Sequence, residues 1–311
     1  MKGLVRDPAR PSGVALVDLP DPGRPGPGEV RVRMCLAPVN PADRLAIAGR
    51  YAPLGGLSDI LGAEGVGVIE AIGDGVADVA PGQRVILLSR GNWVEWRRVP
   101  AADVLAVPEA LPDAQAAVLR INPATAARLL ERLALSRGDW LVQNAATSSV
   151  AGWVRRLAAR RGLRTIDVVR PGSAGAGNGA MLADGDDLAD RITGITDGQG
   201  VSGALDAVAG AATGRLAHCL AANGTLMVYG HLSGEPCTIP STLLTTKSLN
   251  LHGFTLRAAE AGEAPRHLGA RYAELAALAI DAPEPIAGAF ALCDIDAALA
   301  ATGRGRVLLR A

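Results

Sequence analysis

From Asn122 the sequence falls into a rhythm that few folds accept. A helical stretch, "NPATAARLLERLAL", is opened by Pro123 in its first turn, and after it six short aliphatic runs alternate with further helical stretches. The runs are "WLVQN", "RTIDVV", "GAML", "GALDAV", "GTLMVYG" and "LNLHGF". Strands separated by helices return in the same direction, and strands covered on both faces read as near-continuous aliphatic runs. The pattern therefore predicts an α/β fold with a doubly wound parallel sheet of order 3-2-1-4-5-6. The connecting stretches "SVAGWVRRLAARRG", "DDLADRITGIT" and "TGRLAHCLAANG" each close near a glycine that can take a left-handed cap. Between the second and third runs lies "RPGSAGAGNGA", Arg170 to Ala180, whose alternation of glycine and alanine cannot supply a packed helix; a loop is expected there.

The first hundred residues keep a different rhythm. Short β-type runs, "GVALVDL", "EVRVRMCLA", "GVGVIEAI", "RVILL" and "WVEWRRV", are separated by turn clusters such as "DPGRPGPGE" and "VAPGQ", which predicts a small barrel or sandwich. After about Arg257, "RYAELAALAI" reads as a helix and "RVLLR" as a last strand. At 311 residues two domains are the natural expectation, and with 49% hydrophobic but only 3% aromatic residues their cores must be built from Ala, Val, Leu and Ile.

Lysine plus arginine and aspartate plus glutamate both total 31, with no long block of either sign, which argues against a nucleic-acid partner. No run approaches the ~20 apolar residues of a membrane span, and "MKGLVRDPARPSG" carries no apolar signal core, so a cytoplasmic protein without membrane contact is expected. Cys35, Cys219, Cys237 and Cys293 are scattered, with no histidine at ligand spacing; free thiols and no metal are expected.

The first run of the alternating region leads into Ala145-Ala146-Thr147-Ser148-Ser149-Val150-Ala151-Gly152, where a dinucleotide-binding unit keeps its glycines. Small side chains still permit close approach. The hydroxyls of Thr147, Ser148 and Ser149 can bond phosphate oxygens, and a helix N-terminus adds amide donors and partial positive charge. What these residues lack is cheap positive φ, which costs a residue with a Cβ about 1–2 kcal/mol. On these residues alone the segment reads either as a nucleotide site or as a structural reversal. The end of the next run, "TIDVVRPGS", sharpens the choice: Arg170 stands at the strand's mouth, Ser173 follows, and Asp167 lies inside the strand, which favours the extra phosphate of NADP over the ribose hydroxyl of NAD.

Taken together, "APVNPADRLAIAGRY", "GAEGVGVIEAIGDGV", "NWVEWRRVP", "INPATAARLL" and "VQNAATSSVAGWVRRLAARRGLRTIDVVR" resemble the medium-chain dehydrogenase/reductase superfamily, most closely its 2-enoyl thioester reductases of the mitochondrial type and more distantly the quinone oxidoreductases. The resemblance implies a GroES-like β-barrel catalytic domain over residues 1–118, completed by 257–311, and a Rossmann dinucleotide-binding domain over 119–256. It also implies NADPH as cofactor and commonly a homodimer paired through the Rossmann sheets. Zinc-dependent members place a cysteine and Gly-His-Glu where this chain has Asn40-Pro41-Ala42-Asp43 and Gly62-Ala63-Glu64, so no metal is implied.

In the enoyl reductases a tyrosine soon after the Asn-Pro segment is the catalytic acid, and Tyr51 in "AGRY" falls on that position. Hydride delivered to the β-carbon of an unsaturated thioester puts negative charge on the thioester oxygen, to which a phenol with an ordinary pKa of about 10 can donate. The resemblance further places Asn40 in the nicotinamide pocket, Thr125 at the nicotinamide amide, and Thr147, Ser148, Ser149 and Val150 in the pyrophosphate turn. Tyr229, Gly230 and Phe254 fall on strand ends flanking the cofactor, and Arg306 where many members carry a lysine. Ser149 and Ala151 stand where the family has glycines, and Thr255 where it usually has tryptophan. The expected activity is reduction of a C=C bond conjugated to a thioester or carbonyl, with a small-molecule enoyl thioester or enone as substrate and an acyl carrier protein or CoA as a further candidate partner. The alternatives are quinone or enone reduction, or a silent member that binds an acyl carrier or protein partner.

Overall fold

A computed structural model describes residues 1–50, 59–173, 180–302 and 305–311. The chain divides into two units, one made of Met1–Ile121 with Glu263–Ala311 and the other of Asn122–Gly262.

The second unit is the alternating one. Its strands β1 (Trp140–Gln143), β2 (Arg164–Val169), β3 (Ala180–Ala183), β4 (Val201–Asp206), β5 (Leu220–Val228) and β6 (Asn250–Gly253) are all parallel, in the order β3-β2-β1-β4-β5-β6. This is the doubly wound order expected from the pattern, with the reversal of direction between β1 and β4. Helices α1 (Asn122–Leu133), α2 (Ser149–Arg161), α3 (Leu188–Ile195) and α4 (Ala211–Cys219) connect it. Val142, Ile166, Val168, Ala204 and Leu226 from the strands pack with Leu188, Ile192 and Leu216 from α3 and α4, each larger side chain contributing about 1.5–3 kcal/mol by leaving water.

Local chemistry sets the helix ends. Ser148 caps α2, its hydroxyl accepting from the Ala151 amide, and Gly162 ends the helix at φ 70°. The end of α4 departs from the expected glycine cap. The chain passes directly from Cys219 into β5, because Leu220 is buried and already pairs with Val201. Beyond β2, Pro171 and Gly172 turn with the Ser173 amide on the Arg170 carbonyl, as expected of a loop; the rest of the glycine-rich stretch, 174–179, lies outside the described residues.

The first unit carries the β-rich rhythm. Its largest sheet is organised by the ten-residue strand Glu29–Pro38. Val66–Ile72 pairs with this strand; Trp96–Pro100 pairs with its first half, and the C-terminal strand Arg306–Arg310 with its end. Ile286–Ala291 extends the sheet beyond Arg306–Arg310, so both ends of the chain build one body. Val30, Val32, Met34, Ile69, Val85 and Leu87 fill one core; Leu4, Trp93, Leu292, Val307 and Leu309 fill another. Among the described residues, no helix is long and apolar enough to cross a membrane.

Candidate active site

In an open parallel sheet, ligands settle at the carboxyl ends of the strands where the winding reverses. In the second unit that point is the gap between β1 and β4, and polar side chains brace it from below. The Asn144 side-chain amide donates to the Asp206 carboxylate at 2.6 Å, and its oxygen accepts the Ala207 amide at 2.7 Å. Asp206, fully buried, also accepts the Val208 and Ala209 amides and the Thr213 hydroxyl. Two adjacent strand ends are thereby locked together.

The turn after β1 is shaped without glycine. Ala145 adopts φ 48°, the left-handed conformation that the sequence could supply only at a cost. Ala146 follows, buried, with its amide donating to the Val168 carbonyl of β2 and its carbonyl accepting from Arg155 of α2 at 2.8 Å. Thr147 is exposed, while Ser148, Ser149 and Val150 are half-buried at the start of α2. A 13-residue helix points its N-terminus out of this turn, a partial positive charge at a strand end.

At the mouth of β2 the two charged residues separate. Asp167 is 2% exposed and turned inward, accepting from Gln143 at 2.7 Å and from Arg155 at 3.0 Å; Arg170 and Ser173 are exposed. The acid is consumed by the fold, whereas the base faces solvent.

Further along the same sheet edge, Gly230 follows β5 where any Cβ would collide with the carbonyl of Ala207, so the close approach of two strand ends demands glycine. Tyr229 lies beside the Ser148 hydroxyl, but its own buried hydroxyl forms no hydrogen bond among the described residues. Burial pushes that phenol well above the usual tyrosine range, and the Asp206 carboxylate adds to the rise. Thr125 is buried in α1; Phe254 is buried after β6 with the Arg132 guanidinium over its ring. Thr255, at the position where a tryptophan was expected, caps the short helix Leu256–Glu260 through the Ala258 amide.

The first unit holds a second polar cluster, which sequence reasoning found only in pieces. Asn40, Asp43 and Glu64 are all buried. The Asn40 side-chain amide donates to Glu64 at 3.0 Å, its oxygen accepts from Arg306 at 2.8 Å, and its backbone amide donates to Asp43 at 2.9 Å. Glu64 also accepts the Ile121 amide at 2.7 Å and lies 3.4 Å from Arg306, which itself approaches Glu284 at 3.7 Å. Burial pushes the Asp43 carboxyl up to about 6 against the opposing pull of Arg90, 3.4 Å away, and pushes Glu64 up against Arg306. The structure thus brings Asn40 and Arg306 together, each bonded to the other and to Glu64. Tyr51 lies outside the described residues.

Residues 26–109 match the alcohol dehydrogenase GroES-like domain. The mitochondrial enoyl-[acyl-carrier-protein] reductase of Dictyostelium discoideum is 35% identical over 243 residues, covering 73% of this chain and 69% of that protein. Among solved structures, a candidate NADPH:quinone reductase from Bacillus thuringiensis superposes with a TM-score of 0.88 at 27% identity, covering all of this chain and 98% of the other. A mycobacterial protein solved in complex with NADPH gives 0.86 at 26% identity over the whole of both chains.

Proposed function

The chain belongs to the medium-chain dehydrogenase/reductase superfamily, in the family of mitochondrial-type enoyl-[acyl-carrier-protein] reductases, and from that membership we propose that it uses NADPH to reduce a C=C bond conjugated to a thioester. NADPH, when bound, supplies the hydride that adds to the β-carbon. The chain's own residues supply binding, orientation and the proton.

The observation that carries the cofactor choice is the separation of Asp167 from Arg170. An acid that would meet a ribose hydroxyl is buried on Arg155, while Arg170 and Ser173 stand exposed to take an additional phosphate. The remaining donors fit the group as well. Thr147 is exposed beside the N-terminus of α2, and the Tyr229 hydroxyl is a polar atom that the fold leaves unspent. Ser148, Ser149 and Val150 line the turn for the pyrophosphate, and Thr125, Gly230 and Phe254 complete the cofactor's surroundings. Asn40 is assigned to the nicotinamide pocket, and Glu64 and Arg306 hold its side chain in one orientation. Tyr51 donates a hydrogen bond to the thioester oxygen as negative charge develops there and then delivers its proton to the α-carbon of the enolate, the resulting phenolate regaining a proton from solvent.

The substrate is a CoA or acyl-carrier-protein thioester. The enzyme works as a homodimer through the open edge of β6, whose four residues are exposed with Leu251 46% accessible. Likeness to a candidate NADPH:quinone reductase favours a second reading, in which the conjugated acceptor is a quinone or enone.

One experiment separates the outcomes. NADPH oxidation is followed with a crotonyl thioester and, separately, a quinone, for the wild type and for Tyr51→Phe. The thioester should be turned over and the quinone left, and the substitution should lower kcat about 100-fold or more. Turnover of the quinone only would install the second reading, and unchanged kcat in the variant would remove Tyr51 from the proton step.

A further inference from the structure

A Rossmann turn ordinarily obtains its shape from glycine. Here the left-handed position is Ala145, and Ser149 and Ala151 occupy the start of the helix, so something outside the turn must hold it. The structure shows what does. Arg155, in the second turn of α2, reaches back and donates to the Ala146 carbonyl at 2.8 Å, and the same nitrogen lies 3.0 Å from the Asp167 carboxylate on β2. Gln143, the last residue of β1, donates from one side-chain nitrogen to Asp167 at 2.7 Å and to the Ala151 carbonyl at 3.2 Å. Three elements converge on one buried carboxylate, and through it on the turn's backbone.

The geometry fits positioning better than direct ligand contact. Asp167 is 2% exposed, and a guanidinium neutralised by a buried carboxylate offers little net field to a phosphate. Its effect is mechanical. With the Ala146 amide on Val168 and the Ala146 carbonyl on Arg155, the peptide groups flanking that residue cannot rotate, and Ala145 is kept at φ 48° against its own preference. We propose that Arg155, braced by Asp167 and Gln143, is the positioning residue that takes over glycine's part in this turn. By fixing Ala145 and Ala146 it sets the aim of Thr147, Ser148 and the N-terminus of α2 on the cofactor's pyrophosphate. The ligand named here rests on the NADPH reading above; the hold on the turn does not.

The test uses the full chain and two readouts. Amide hydrogen exchange without cofactor follows Ala146 to Ser149, and NADPH fluorescence titration gives Kd. In Arg155→Met, protection across the turn should fall at least tenfold while β4 and β5 are unchanged, and Kd for NADPH should rise about tenfold with kcat at saturating NADPH within about twofold of wild type. Asp167→Asn, which keeps the side chain's shape, should move both readouts in the same direction by less. The decisive variant adds Ala145→Gly to Arg155→Met. Glycine accepts the left-handed conformation freely, so affinity should return to within about threefold of wild type.

A merely structural ion pair would lower Tm while leaving Kd of the folded protein unchanged, and Ala145→Gly would restore nothing; either result overturns the proposal. If the wild type binds no NADPH, the cofactor reading fails. The exchange data still decide the hold of Arg155 on the turn, with unchanged protection in Arg155→Met refuting it.

Discussion

The polar cluster around Glu64 in the first unit and the turn around Ser148 in the second are both built from buried charges, yet they spend them in opposite ways. Around Glu64 the partners face one another: Asn40 uses both ends of its side chain, and Arg306 reaches Asn40, Glu64 and Glu284 together. Around Ser148 the buried charge lies behind the turn. Asp167 and Arg155 satisfy each other and the Ala146 carbonyl, while Thr147, Arg170 and Ser173 remain exposed. A network closed on itself mainly rigidifies its surroundings, whereas one that pins a backbone and leaves donors outside prepares a surface for a ligand. Substitutions should therefore register first as stability in the first cluster and as affinity in the second.

The largest effect is expected at Arg306. Arg306→Met leaves Glu64, fully buried, without its guanidinium and unfastens the Asn40 oxygen, and removing one partner of a buried ion pair costs about 3–5 kcal/mol. Urea unfolding should show that loss. The double variant Glu64→Gln with Arg306→Met should recover part of it, because no unpaired charge is left behind. A weaker NADPH affinity at unchanged stability would instead give Arg306 a direct part in holding the cofactor, and would erase the contrast between the two clusters.

Asp43 offers a smaller effect that depends on pH. Its carboxyl is raised to about 6 in the folded protein from an ordinary value of 3.8, so between these pH values the folded state binds more protons than the unfolded chain. The stability this group contributes is fully present below pH ~4 and is lost as pH rises through ~6, by about 3 kcal/mol in all. Glu64, also raised, works in the same direction. Asp43→Asn removes this dependence. Relative to wild type it should gain stability between pH 4 and pH 7 in paired denaturant titrations, and a difference that stays flat over that interval would show that Arg90 fully compensates the buried charge.

The two clusters also differ in how far they could be read from the sequence. Aliphatic runs spaced by helices announced the parallel sheet and its order because burial on both faces leaves a composition signature in each strand. An arginine at a strand end announced an exposed base, whereas the capping role of Ser148 emerged only with the helix in place. Arg155 could not be read this way, since it is one of several arginines on α2 and only the packing of that helix over β2 brings it to Asp167. The Glu64 cluster was still less legible. Arg306 lies 242 positions from Glu64 and meets it only because the last strand joins the sheet of the first unit. A clue was present at Glu64, which sits in the otherwise small and apolar run "LGAEGVGVI", where an acid is costly unless paired.

The smallest expected effect is at Arg170, and it is the one that most directly tests whether the second cluster serves a ligand. Arg170 is exposed at the end of β2 and forms no ion pair among the described residues, so Arg170→Ser should leave the urea midpoint essentially unchanged. Its guanidinium can matter only to a molecule that brings an anion to it. If that anion is the 2′-phosphate, losing one charge-assisted contact in a solvated position should raise Kd for NADPH about tenfold, ~1.4 kcal/mol, while Kd for NADH stays where it was. Raising the salt concentration should shrink the wild type's preference for NADPH and have little effect on the variant's, because screening acts on the contact that the variant lacks. Equal weakening toward both cofactors would mean that Arg170 acts on the pyrophosphate or on the fold of the loop, and the choice between the two nucleotides would then have to be made elsewhere along the sheet edge.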